Sequence, residues 1–225
     1  MLKLDSKDIK KKRTLKVFIE ETRKIITEEG IDNVTIRKVA KKTGYNSATI
    51  YNYFDNCNQL IFFASLDFLG EYSQAMPDYI ADAEDEIERF ILMWECFCKY
   101  SFENPKIYYS IFTEHIGDES KVLMDNYFKI YPEKLETADE SLVPMLRSPD
   151  LSERASVASQ PLIKNNLLPK KAAKEMDNMI TYIYHGLLTL MINERTHHTA
   201  ESALKTISNH IRTIVNNAVC CKNKY

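Results

Sequence analysis

Glycine and proline are scarce in this chain, five and seven among 225 residues. With few turn-formers, and with leucine, isoleucine, lysine, glutamate and alanine plentiful, helix is favoured over sheet. No stretch alternates apolar and polar residues long enough to argue for a strand. Long apolar runs are missing too. The longest, Ile180 to Ile192, is broken by Tyr182, His185 and Thr189 and is too short to span a bilayer. The charged start, Met1 to Arg13, has no apolar run behind it, so no secretory signal is read. A cytoplasmic protein with no membrane partner is expected. Its cysteines are then thiols. Neither Cys96 with Cys98 nor Cys220 with Cys221 has the spacing of a zinc ribbon or a CxxC redox pair. His197 and His198 are adjacent in a loop, which is weak ground for a metal, so no metal and no cofactor is assigned. The chain lacks GxGxxG, GxSxG, GxxxxGK[ST], HExxH and any recognisable carboxylate pair. These absences argue against an enzyme. An all-α enzyme with scattered catalytic groups stays open as an alternative.

What is present is unevenly charged. Residues 1–60 hold 13 Lys/Arg and 8 Asp/Glu, a balance of +5, and the remainder holds 17 and 24, a balance of −7. A basic head that meets a polyanion and an acidic body that does not would produce this asymmetry. Chance unevenness would produce it as well.

The pattern along the chain is helical throughout. Leu15, Phe18, Ile19, Thr22, Ile25 and Ile26 recur at helical spacing and predict a first helix ending near Gly30. Thr35 can cap a short helix over 36–43, and Gly44 suits its left-handed end. Asn46 can cap a third helix, 47–53. A fourth begins near Asn56 and is expected to stop at Pro77. Further helices are read near 83–102, 105–115, 118–131, 151–166 (disturbed at Pro161), 171–194 and 200–219. The stretch 132–150, with three prolines, reads as irregular. On the third helix Ile50 and Phe54 share the inward face, while Ala48 and Asn52 face outward with Ser47 and Tyr51 beside them. That outer face is small, polar and free of acids, as a surface entering a DNA major groove must be.

The helix–turn–helix spacing is joined by a longer motif. Thr35-Ile36-Arg37-Lys38-Val39-Ala40, then Gly44-Tyr45-Asn46-Ser47-Ala48-Thr49-Ile50-Tyr51-Asn52-Tyr53-Phe54, then Leu60, resembles the N-terminal signature of TetR-family regulators. The resemblance covers roughly residues 12–70, with Phe18 and Gly30 at the family's helix-one aromatic and closing glycine. It implies an all-α protein with two domains: a helix-turn-helix DNA-binding domain at 1–56 and a helical effector-binding and dimerisation domain at 57–225. It implies a dimeric transcriptional regulator, most often a repressor, that binds double-stranded DNA at a near-palindromic operator and is released by a small-molecule effector. A non-specific DNA-binding or structural protein on the same fold is the alternative. The implied DNA contacts are Thr35, Arg37, Asn46, Ser47, Ala48, Thr49, Tyr51 and Tyr53. Tyr53 could equally pack on helix one, and Thr35 is a cap with or without DNA. Lys10 to Arg13 read either as a flexible basic arm or as a solvated charge run. One departure stands out: Cys57 occupies the place of the family's helix-four lysine, so a phosphate contact is lost. A thiol at a helix N-terminus can have a lowered pKa, which would make Cys57 a redox-sensitive point.

The resemblance also places a homodimer interface on the helices near 171–194 and 200–219. Met179, Ile180, Ile183, Leu187, Leu190 and Met191 give the first an apolar stripe, and Ile207, Ile211, Ile214 and Val215 give one to the second. Either stripe could instead be intramolecular core. The middle helices are rich in aromatics, which suits a pocket for an apolar or aromatic ligand of unknown identity. Trp94, Tyr109, Phe112 and His185 are the pocket candidates, each of which could be ordinary core.

Overall fold

The computed structural model describes residues 9–113, 120–136, 140 and 142–220. Among these, regular structure is entirely helical. The order is α1 (Ile9–Glu29), a 3-10 turn (Ile31–Asn33), α2 (Ile36–Thr43), α3 (Ser47–Tyr51), α4 (Cys57–Ile80), α5 (Glu86–Glu103), α6 (Pro105–Phe112), α7 (Ser120–Ile130), α8 (Glu133–Glu136), α9 (Val143–Leu146), α10 (Leu151–Lys164), α11 (Lys170–Ile192) and α12 (Ala200–Cys220). His115 and Cys221 lie outside the described residues.

The chain divides into two compact units, one of residues 1–70 with 113–137, the other of 71–112 with 138–225. In the first, the α1 stripe Leu15, Phe18, Ile19, Ile25 and Ile26 is buried together with Val39, Ala40, Ile50, Phe54, Leu60 and Phe63. Asp67 on α4 gathers three partners within this unit. Arg23 of α1 and Lys134 of α8 reach its carboxylate at 2.6 and 2.8 Å. The Tyr127 hydroxyl of α7 donates to it at 3.0 Å. A carboxylate shared in this way fixes three helices against α4.

In the second unit α5 packs on α12, α10 and α6, while α11 packs on α10, α12 and α6. Asp85 and Asp150 cap α5 and α10, each accepting from two backbone amides. Arg212 of α12 donates both guanidinium nitrogens to Glu88 of α5 at 2.8 Å, a bidentate pair. Deeper in, the hydroxyls of Ser101 and Tyr184 are 2.7 Å apart.

Several sequence expectations are corrected. Pro77 lies inside α4 and does not end it. An internal proline costs a helix about 3 kcal/mol. Tyr72 and Met76, each 2% exposed, bury the face that outweighs this cost. Pro161 likewise sits within an unbroken α10, between buried Ala158 and Leu162. The stretch read as irregular contains two single-turn helices, α8 and α9, the latter with Pro144 in its first turn, where no intrahelical donor is needed. The third helix closes at Tyr51, two residues early. Lys10 to Arg13 form helical turns of α1 and are not a flexible arm.

Candidate nucleic-acid interface

The turn between α2 and α3 is built from local chemistry. The Thr35 hydroxyl accepts the Lys38 amide at 3.2 Å and starts α2. Gly44 ends it in the left-handed region, φ 75°, with its own amide bonded to the Ala40 carbonyl. Asn46 starts α3: its side-chain oxygen accepts both the amide (2.8 Å) and the hydroxyl (2.9 Å) of Thr49. The turn is held down by aromatic edges. Phe18 of α1 meets Tyr45 at 5.0 Å and Tyr53 at 5.8 Å between ring centroids. Of the two roles left open for Tyr53, the structure displays the packing one.

Ile50 and Phe54 are buried, as their spacing predicts. The opposite face is open: Ala48 and Asn52 are exposed, and Tyr51 is 55% exposed. Asn46 is exposed, and Ser47 and Thr49 are partly so. Thr35 and Arg37 are exposed as well. The eight residues named from sequence therefore lie along the turn and its two helices, seven with surface available beyond their structural contacts and Tyr53 half-covered by α1.

The cations of α2 are sorted into two rows four residues apart. Lys38 and Lys42 turn toward α1: Lys38 pairs with Glu29 at 2.8 Å, and Lys42 lies 3.3 Å from Glu29 and 3.7 Å from Glu28. Hydrogen bonds from Lys38 and Lys42 hold the Glu29 carboxyl below its ordinary range. Arg37 and Lys41 are exposed, and neither has an ion-pair partner among the described residues. Their charge is left for an external anion.

The start of α4 is closed by its own side chains. Asn56 accepts the Gln59 amide at 2.9 Å, while the Gln59 side chain bonds both the amide and the carboxylate of Asp55, each at 2.9 Å. Cys57 is half-buried, and its thiol donates to the Val34 carbonyl at 3.8 Å. Burial pushes the thiol pKa up, against the lowered value expected at a helix N-terminus, because desolvation outweighs the backbone hydrogen bond from Ile36 that favours the thiolate. A thiol that stays protonated is a poor redox sensor.

The pocket candidates lie in the second unit and separate from one another. Trp94 is buried against Phe97 and Tyr184, with centroids 5.9 and 6.5 Å apart. It lines a small cavity with Tyr72, Phe97 and Arg154. Phe112 stands behind that lining, with its ring 5.2 Å from the Arg154 guanidinium. Tyr109 and His185 do not line the cavity. His185 packs edge-on to Tyr184, and burial lowers its pKa. Arg154 was missed from sequence. Its signal was available, since Leu151, Arg154, Ala155, Ala158 and Leu162 form one helical stripe with a single cation in it.

The stripe on α11 also divides. Ile180, Tyr184 and Leu188 are buried within the unit, as are Ile207, Ile211 and Val215 of α12. Met179, Tyr182 and Leu190 are 51%, 70% and 46% exposed on another face of α11.

Residues 18–62 match the family described as bacterial regulatory proteins, tetR family. An HTH-type transcriptional regulator of Staphylococcus aureus (strain bovine RF122 / ET3-1) is 31% identical over 71 residues, spanning 29% of this chain and 38% of that protein's length. Two solved structures share the fold along nearly the whole chain. One is Thermus thermophilus FadR, a TetR-family repressor in complex with lauroyl-CoA (12% identity, 91% of this chain and 94% of that one, TM-score 0.58). The other is RolR in complex with resorcinol (13% identity, 95% and 98%, TM-score 0.56).

Proposed function

Because residues 18–62 are a TetR-family N-terminal helix-turn-helix domain on an all-α chain with the TetR fold, we propose that this protein is a dimeric, sequence-specific transcriptional repressor released by a small-molecule effector. The family is one of regulators and not of enzymes. The observation that carries the DNA reading is the open face of α3, free of acidic side chains and flanked by the unpaired Arg37 and Lys41. A helix with such a face can approach base edges closely while the two cations take phosphates. Thr35, Arg37, Asn46, Ser47, Ala48, Thr49 and Tyr51 make the contacts in this reading, and Tyr53 supports the turn from α1.

DNA reading is assigned to residues 1–56, and effector binding and dimerisation to 57–225, in the cytoplasm. The compact units run differently, because the first half of α4 and residues 120–136 pack with the DNA-reading helices. Support for the dimer comes from α11, where Met179, Tyr182 and Leu190 expose apolar area in register. Two copies related by a two-fold axis would present two α3 helices to a near-palindrome. Support for an effector comes from the relatives, which bind lauroyl-CoA and resorcinol. Release would follow from tighter binding of the effector to a form whose α3 helices no longer match adjacent grooves.

The deciding measurement is binding to the DNA flanking the protein's own gene, titrated against salt and against an unrelated duplex of equal length. Preference for one near-palindromic segment is the expected result. Equal, salt-sensitive binding to both duplexes would replace the specific regulator with a non-specific DNA-binding protein, a reading that the missing helix-four lysine at Cys57 favours.

A further inference from the structure

The interior of the second unit holds a charge with no counter-charge. Arg154 is 3% exposed. One guanidinium nitrogen donates to the Ser148 carbonyl at 3.3 Å. The other, Nη2, has no hydrogen-bond partner among the described residues, and no carboxylate pairs with this side chain. The ring centroids of Phe112 and Tyr72 lie 5.2 and 5.7 Å from the guanidinium carbon, and the Tyr72 hydroxyl that interacts with Arg154 is neutral and supplies no counter-charge. A buried guanidinium without an anion is among the costliest arrangements a core can hold. A second donor is also unmet: Trp94 Nε1 is buried without a partner among the described residues. Both side chains line the same cavity. The remaining wall is apolar, with Met93, Phe97, Met145, Leu151, Ala155 and Ala158.

We propose that this cavity is the effector site and that its ligand is a small apolar monocarboxylate, with its head on Arg154 and the Trp94 N–H and its body against the apolar wall. This rests on the reading of the protein as an effector-responsive regulator and names the class of effector. Arg154 and Trp94 each bring an unmet N–H to one cavity, and a carboxylate has two oxygens to accept them. One cation neutralises one negative charge, which selects a monoanion over a phosphate dianion. The unfilled volume is about 20 Å³, the room one water needs. A ligand of ordinary size therefore enters by displacing side chains. Met93 and Met145 are the members of the wall most able to rearrange. That displacement would couple occupancy to the packing of α5 and α10, which both border the cavity.

The test uses the free protein, without DNA. Trp94 is the chain's single tryptophan, so its emission reports on the site directly. Phenylacetate and octanoate are compared with their neutral isosteres phenylacetamide and octanamide, and with inorganic phosphate. Expected is a saturable change with at least one carboxylate, at an affinity about tenfold or more above its amide. Arg154→Met should erase that preference while leaving amide binding in place. Ala158→Leu, which fills the cavity, should lose both ligand types. No saturable response to either carboxylate overturns the proposal. So does phosphate matching their effect, or a carboxylate preference that survives in Arg154→Met. The carboxylate-against-amide comparison on the unmodified protein needs no variant to fold. Because no DNA is present, the site stands or falls apart from the operator test. A carboxylate preference beside failed DNA binding would remove the regulator reading alone.

Discussion

The two units leave different numbers of buried polar groups unmet. Around α2 and α3 each cap finds its amide, and the inward lysines find glutamates. The interior there is aliphatic and aromatic, and two buried polar atoms of the first unit, Thr22 Oγ1 and Tyr131 Oη, lack a partner among the described residues. In the second unit five do: Trp94 Nε1, Tyr108 Oη, Arg154 Nη2, Asp177 Oδ1 and Thr181 Oγ1 are buried without partners among the described residues. A surface that must fit a fixed helix of DNA gains from rigidity. Of the five, Trp94 and Arg154 line the cavity, and under the ligand proposed for it their satisfaction waits on binding. The contrast is energetic as much as geometric, and substitutions can break or sharpen it.

The largest effect is expected from Phe54→Ala. Phe54 is 1% exposed and meets Phe63 edge-on, so its loss should destabilise the first unit by about 3–5 kcal/mol in denaturant unfolding. The Trp94 response to carboxylates should be unaltered under conditions where the protein remains folded. A loss of that response in the folded variant would show that the units are not energetically distinct. Next in size is the pH dependence that Asp177 imposes. Burial raises its carboxyl from 3.8 to about 7, against a Ser159 hydrogen bond that lowers it. The folded state holds this proton more tightly than the unfolded state does, so ionisation destabilises the fold. The stability present below pH 3.8 should therefore decline as pH rises to about 7 and then level off. Asp177→Asn should flatten that decline in melts recorded across this window.

A smaller effect belongs to the outward face. Arg37→Ala should weaken operator binding about tenfold with no change in melting temperature, because the exposed side chain has no ion-pair partner among the described residues. If Arg37 meets a phosphate, the salt dependence should also fall by about one unit of slope. The smallest is Gly44→Ala. A Cβ there meets nothing within 4 Å, so the cost is that of a left-handed backbone alone, about 1 kcal/mol. A much larger loss in thermal unfolding would mean that the turn carries more than its dihedral angles show.

The same division governs what could be read from sequence. Thr35, Gly44 and Asn46 act on partners three or four residues away, so their roles were visible in the order of residues. The helix through Pro77 was not visible, because what sustains it is burial of Tyr72 and Met76 by distant parts of the chain. The aromatic middle was recognised as a possible pocket, and Trp94 does line a cavity. Arg154 stood in the sequence as the single cation of an apolar helical stripe, but the partners it lacks appear only once the chain is folded. On α11, periodicity gave one apolar stripe where the fold has two faces, with Ile180 and Tyr184 inside and Met179 and Tyr182 outside.

The two rows of cations on α2 have an evolutionary meaning. Lys38 and Lys42 answer to the protein's own glutamates, so changing them disturbs the domain before it alters any target. Arg37 and Lys41 have no ion-pair partner among the described residues. They can be exchanged without a folding penalty, one at a time, and descendants of this chain can drift toward new target sequences while inheriting the same scaffold intact.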